Sequence, residues 1–264
     1  MNWLVSAPLW VLLVGWVAVT IAAAVLGHLF ASHVVRRHER DEVRGLANPM
    51  MPALGALFAV LTAITLSSEA GYLKSAQDGV SQEAASASKL AWAATNPNVD
   101  APPIHASLER YLVATRTNEW SGEAAADGDD PGTGDALADL EHTVRTAAAA
   151  PSIGTPASSE LLASVDEIST GRRSRLADAS RDLPPLYIVT LIASGLALVA
   201  NAGAIVSGVS RRSALLVAGL TVVVALSLAL LCALTGPFRG DLVVSGEPID
   251  AVIDDLRTGF FTRP

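Results

Sequence analysis

Apolar residues in this chain are gathered into four blocks. The third and fourth blocks, residues 186–209 and 213–235, contain no Asp, Glu, Lys or Arg, and only Ser210-Arg211-Arg212 separates them. A helix of about 20 apolar residues, rising 1.5 Å each, crosses a hydrocarbon core roughly 30 Å thick. Both blocks reach that length and predict a transmembrane hairpin. The first block, residues 8–32, has Trp3, Trp10 and Trp16 near its start, where tryptophan anchors a span at the headgroups. It lacks the basic lead and short apolar core of a cleaved signal peptide, so it is expected to remain as a span. The second block, residues 50–67, is the shortest. Asn48-Pro49 and Pro52 suit a helix start there, and the helix is expected to continue beyond the membrane through Glu69, Tyr72 and Lys74.

The segment between the hairpins, residues 68–185, is polar and alanine-rich with helical periodicity. Its punctuation predicts four helices. The first covers 69–95 and ends at Asn96-Pro97. The second follows Pro102-Pro103 and carries Ile104, Leu108, Tyr111 and Leu112 toward Trp120. The third covers 135–150 and is closed by Pro151; the fourth covers 158–183, capped by Ser158 or Ser159, and leads into Pro184-Pro185. Between the second and third lies a glycine-rich loop with Asp127, Asp129 and Asp130. Few large apolar residues line these helices, so the segment reads as an extension of spans two and three. Past residue 235 a Gly/Pro-rich turn precedes a short helix begun by Pro248. Its Ile249, Val252, Ile253 and Leu256 should lie on the bundle or the bilayer surface. The fold class is therefore all-α: a polytopic membrane protein with four transmembrane helices and a helical extramembrane segment between spans two and three. The segments are 1–67, 68–185, 186–235 and 236–264.

Composition agrees with this pattern: 51% of residues are hydrophobic, 17% are charged and the mean hydropathy is +0.41. A net charge of −8 offers no basic face and excludes a nucleic-acid partner. The single cysteine, Cys232, lies inside a span and forms no intrachain disulfide. Charge also orients the spans. Arg36, Arg37, Arg40 and Arg44 occupy one short link, Arg211 and Arg212 the other, and such links stay in the cytoplasm. The middle segment, including Arg172, Arg173 and Arg175, is then outside the bacterial inner membrane, because long segments translocate largely regardless of charge.

Few residues carry chemistry. Thr190, Ser194 and Asn201 fall on one face of span three with Ala197, Ala204 and Gly208, and Thr221 lies on a similar face of span four. Small, weakly polar faces serve close helix packing, or line a water-filled path if several copies meet. Asn201 is the sharpest candidate because a mid-membrane amide needs partners. His28 is a titratable group inside span one, and Glu69 lies just past span two, where it is a solvated helix-end carboxylate or, in an oligomer, would ring a pore mouth. The link residues His33, His38, Glu39, Asp41 and Glu42 lack metal-ligand spacing, and the acidic loop lacks the EF-hand pattern. With no phosphate-binding loop, nucleophile elbow or paired carboxylates in apolar surroundings, the sequence offers no footing for an enzyme and implies no cofactor.

Three short motifs in order carry a resemblance. Glu119-Trp120 follows the helix with Leu108-Glu109-Arg110-Tyr111. Arg172-Arg173-Ser174-Arg175-Leu176 precedes Leu183-Pro184-Pro185-Leu186. Pro237-Phe238-Arg239-Gly240-Asp241 runs on to Ser245 and Pro248. Together with the span order, they resemble the bacterial domain-of-unknown-function family labelled bestrophin-like. Members tend to have an acidic residue and a histidine before Pro-Phe, where this chain has Thr235-Gly236, and a tryptophan where it has Ser68. The resemblance implies a four-span homo-oligomer in membrane lipid, kin to pentameric anion channels, passing small ions. It also implies a cytoplasmic middle segment, whereas the arginine links imply an outer one. The alternative function is a non-conducting membrane protein whose helical segment binds a partner or senses the envelope.

Overall fold

The computed structural model describes residues 9–34, 40–120, 129–179, 185–206, 211–234 and 244–262. The elements are α1 (Leu9–Leu29) with a π-helical turn (Phe30–Val34), α2 (Arg40–Ala93), α3 (Ala101–Asn118), α4 (Pro131–Ala148) and α5 (Thr155–Ala179). They continue with α6 (Pro185–Val206), α7 (Arg211–Leu234), α8 (Glu247–Arg257) and a 3-10 turn (Phe260–Thr262). No strand occurs among the described residues. Trp10–His33, Gly45–Ala93, Leu186–Val206 and Ser213–Leu234 are long and apolar enough to cross a membrane. The all-α, four-span reading holds.

One difference concerns α2. Its helix begins at Arg40, not at Asn48-Pro49, and is continuous for 54 residues with Pro49 and Pro52 inside it. These prolines remove two backbone donors. Transmembrane helices tolerate that where neighbouring groups meet the freed carbonyls.

The four segments read from sequence condense into two units. The membrane unit joins both hairpins, Met1–Gly71 and Asp182–Thr235. Its core contains Phe58, Leu191, Leu198, Val199, Val224 and Leu228. Packing of α1 on α6 is set by two glycines. A Cβ on Gly27 would lie 2.0 Å from the Ala200 carbonyl oxygen, and one on Gly203 would lie 2.1 Å from that of Ala24. Backbone meets backbone there, with no room for a side chain. Trp10, Leu186, Leu215 and Leu216 remain exposed on the outside of the unit, as suits a lipid solvent.

The extramembrane unit joins Tyr72–Arg181 with Gly236–Pro264. Four spans return the chain to its starting side, so the tail and the middle segment can meet. Contrary to the expected extension of two spans, this unit has its own core. Alanines supply the reason: Ala76, Ala87, Ala91 and Ala94 are fully buried, so the helices approach closely, and a modest set including Leu90, Ile104, Leu108, Leu140 and Ile168 closes the interior. The tail helix α8 belongs to this core through Ile249, Val252 and Ile253. Helix ends also shift. Asp130 caps α4, its side chain accepting from the Thr133 N–H, with Pro131 in the first turn, so α4 starts inside the acidic loop and before the predicted residue 135. Likewise α5 starts at Thr155, and Ser158 donates its hydroxyl to the Ala148 carbonyl in place of a cap.

Candidate functional site

In the membrane unit the predicted polar face is largely occupied with its own helices. Thr190 donates its hydroxyl to the Leu186 carbonyl, Ser194 to that of Leu191 and Thr221 to that of Val217. Such back-bonding satisfies a hydroxyl within its own helix. Asn201 is the exception: its amide donates to the Ala47 carbonyl of α2 at 3.0 Å and lies 3.6 Å from the Met51 sulfur. It ties span three to the proline-bearing stretch of span two. His28 is exposed on α1, and Glu69 is buried on α2. The structure does not gather these residues around one cavity.

The residues it does gather lie in the extramembrane unit. On α2 the inward stripe Ala76, Val80, Glu83, Ala87 and Leu90 repeats every three or four residues, so Glu83 is carried into the core. On α5 the stripe of Leu161, Val165 and Ile168 continues into Arg172 and Arg175. A glycine lets these two helices meet: a Cβ on Gly171 would lie 3.3 Å from the Glu83 Cβ. Tyr111 and Glu119, from α3 and its end, complete the group.

Glu83 and Glu119 are 0% exposed and Arg175 is 1% exposed. Arg175 Nε donates to Glu83 Oε2 at 2.8 Å, and its Nη1 lies 2.6 Å from Glu119 Oε2. The Tyr111 hydroxyl donates to Glu83 Oε1. Arg172 reaches Glu119 Oε1 at 2.6 Å and the more exposed Asp129 at 3.1 Å. Two buried carboxylates thus face two guanidiniums, and these four formal charges cancel. Removing such charges from water is expensive, and their attraction offsets the cost only when each is paired. Burial alone would lower the pKa of Arg175, but the Glu83 and Glu119 carboxylates outweigh it and raise it further. Burial, then the Glu83 carboxylate, pushes the Tyr111 phenol well above its ordinary 10, so Tyr111 is a neutral donor.

Trp120 joins the tail to this cluster. The Arg175 guanidinium lies 5.1 Å from the centre of its ring and that of Arg116 lies 5.3 Å away, both within cation–π range. Its indole N–H donates to the Val244 carbonyl at 3.0 Å. Beside it, Gln77 and Ser245 exchange two hydrogen bonds, and Arg116 holds Asp250 with two more at 2.7 and 2.9 Å.

Of the motif residues read from sequence, Tyr111, Glu119, Trp120, Arg172 and Arg175 therefore meet. Arg173 turns aside and bonds Ser169 on its own helix. Pro184, Pro237, Phe238, Gly240 and Asp241 lie outside the described residues. Sequence reasoning does not single out Glu83 or the residues that anchor the tail, Gln77, Arg116 and Asp250. Charged residues at the core-facing register of alanine- and leucine-rich stripes were the available signal. Among the described residues, no three His, Cys, Asp or Glu side chains cluster to hold a metal ion. The cluster is a paired, closed network suited to fixing three helices and the tail in one arrangement.

The Bestrophin-like domain family matches residues 18–249. Solved structures resemble the chain over nearly all of its length. A mutant bacterial bestrophin homologue from Klebsiella pneumoniae has a TM-score of 0.73 at 11% identity, covering 98% of this chain and 100% of the other. A zinc-phased structure of a bacterial bestrophin homologue from the same organism gives 0.71 at 12%, covering 96% and 98%. A mutant structure described as a membrane protein gives 0.71 at 11%, covering 95% and 97%. At these identities the likeness is one of fold. No curated protein matches the chain by sequence.

Proposed function

This chain belongs to the bestrophin-like family, and from that premise we propose that it assembles with copies of itself into a channel for small ions in the bacterial inner membrane. The observation that carries the reading is the uncovered face of span two. Phe58 is buried against the other spans and Thr65 is also buried, whereas Ala53, Ala56, Val60, Ala63, Ser67 and Ala70 are exposed at helical spacing. Small residues let transmembrane helices approach closely, and a single copy leaves this stripe without a neighbour. Within one copy, the hydroxyls of Thr190, Ser194 and Thr221 are taken up by their own helices and Asn201 by α2. A wet path is therefore best built between copies, with span two toward the axis. The family's kinship with anion channels favours a pore over a non-conducting envelope sensor, and favours conduction over enzymatic chemistry.

Reconstitution tests this reading. Detergent-purified protein should run as a symmetric oligomer and support ion flux in liposomes, and Val60→Asn should change that flux. A clean monomer by mass photometry, or flux indifferent to substitution at Val60, removes the proposal. For orientation, the arginine links Arg36–Arg44 and Arg211–Arg212 support a cytoplasmic placement of both bends and an extracytoplasmic middle segment. A cysteine replacing Asp129 should then react with an impermeant maleimide on intact cells. Protection until lysis inverts the orientation.

A further inference from the structure

On the membrane unit, a groove of about 630 Å³ runs between α2, α6 and α7. Its walls are apolar, formed by Met51 and Pro52 of α2, Ile205 of α6, and Leu216 and Leu220 of α7. Its polar side chains, those of Asn48 and Ser213, belong to one end, where α6 finishes at Val206 and α7 begins. The sequence concentrates positive charge at that same end. Arg211 and Arg212 make the first turn of α7 directly before Ser213, and Arg44 lies one turn before Asn48 on α2.

A groove that is apolar along its length and polar at one end, with three arginines close by in sequence, matches an amphiphile with a negative head. We propose that it binds an anionic phospholipid, one acyl chain lying along α7 toward Leu220 and the phosphate at the Asn48–Ser213 end. Basic residues at the membrane surface between spans recognise anionic headgroups in this way. The volume lies within the range of small-ligand pockets. The inference needs only that the four helices cross a bilayer; it does not rest on conduction, and its failure would leave the channel reading untouched.

Native mass spectrometry of the detergent-purified protein tests it, with phosphatidylglycerol and phosphatidylcholine of identical chains at equal concentration. Phosphatidylglycerol should be retained preferentially, and inorganic phosphate should not displace it. Each membrane-proximal arginine contributes about fivefold to binding of an anionic surface, so Arg211→Gln with Arg212→Gln should lower the preference about 25-fold. Val217→Trp, which fills the groove, should lower retention of both lipids. A tail-diazirine phosphatidylglycerol on the unaltered protein should label peptides covering 46–54 and 202–220. Equal retention of the two lipids, full displacement by phosphate, a preference untouched by the arginine substitutions, or labelling confined to other helices would each overturn the proposal. So would a groove sealed by a second copy, seen as absent labelling together with efficient Val217→Cys cross-linking between protomers.

Discussion

Replacing Arg175 with methionine keeps the bulk of the side chain and removes one charge from the centre of the extramembrane unit. Glu83 and Glu119 are both fully buried, and Arg175 is the group that bonds Glu83 and lies 2.6 Å from Glu119. In the variant, Tyr111 still donates to Glu83 and Arg172 still pairs with Glu119, but two carboxylates share one guanidinium. Breaking a buried pair by removing one partner costs about 3–5 kcal/mol. For a unit made of Tyr72–Arg181 and Gly236–Pro264, that is a fall of about 10–20 °C in its melting temperature. The assay is thermal unfolding of the full chain in detergent, with hydrogen exchange of residues 76–94 and 104–120 assigning the transition to this unit. Adding Glu83→Gln to Arg175→Met restores neutrality and should recover part of the loss. A single variant melting within about 3 °C of the parent, or a double variant as damaged as the sum of the two singles, would mean that the cluster is held by packing over Trp120 and not by charge.

Four other substitutions separate the remaining contributions. Tyr111, with its pKa raised, is protonated in the folded unit but ionises near 10 when unfolded, so its contribution is complete below pH 10. Above that pH it is lost at about 1.4 kcal/mol per pH unit until the folded value is reached, and denaturation midpoints should fall more steeply in the parent than in Tyr111→Phe; parallel curves would refute this. Gly203→Val forces a Cβ to within 2.1 Å of the Ala24 carbonyl oxygen, so α1 and α6 must part, at about 1–3 kcal/mol. Its thermal stability in detergent should drop, whereas Gly219→Ala, with nothing within 4 Å, should be silent. Asn201→Leu removes the bond to Ala47, about 0.6 kcal/mol, with flux essentially retained. Loss of flux from an intact oligomer would put Asn201 on the conduction path.

Hydrophobic patterning made the four spans legible because a bilayer demands long uncharged runs, and few soluble elements imitate them. The helices of the middle segment were legible through prolines and caps. Their depth of burial was not. Ala76, Ala87 and Ala91 are as buried as any leucine, yet an alanine-rich helix looks the same in sequence whether it is solvated or packed. The prolines of α2 misled for a related reason: Pro49 and Pro52 signal a helix start in water, but within a membrane unit the helix runs through them. Glu119, Trp120 and Arg172 were visible as a motif. Glu83, which bonds Arg175 and Tyr111, is 92 residues from Arg175, and only the apolar register of α2 hinted that a carboxylate would be buried there.

The same distances bear on how the unit is completed. Trp120 bonds Val244 across 124 residues, Arg116 bonds Asp250 across 134, and Gln77 bonds Ser245 across 168. Both spans of the second hairpin lie between these partners, so the tail can dock only after α6 and α7 have been threaded. Until then Trp120 lacks its Val244 acceptor, and the surface later covered by Ile249, Val252 and Ile253 remains open. The cluster around Arg175 can form earlier, because Glu83, Tyr111, Glu119 and Arg172 all precede the hairpin. Insertion of the second hairpin is coupled, through the tail, to closure of the extramembrane core.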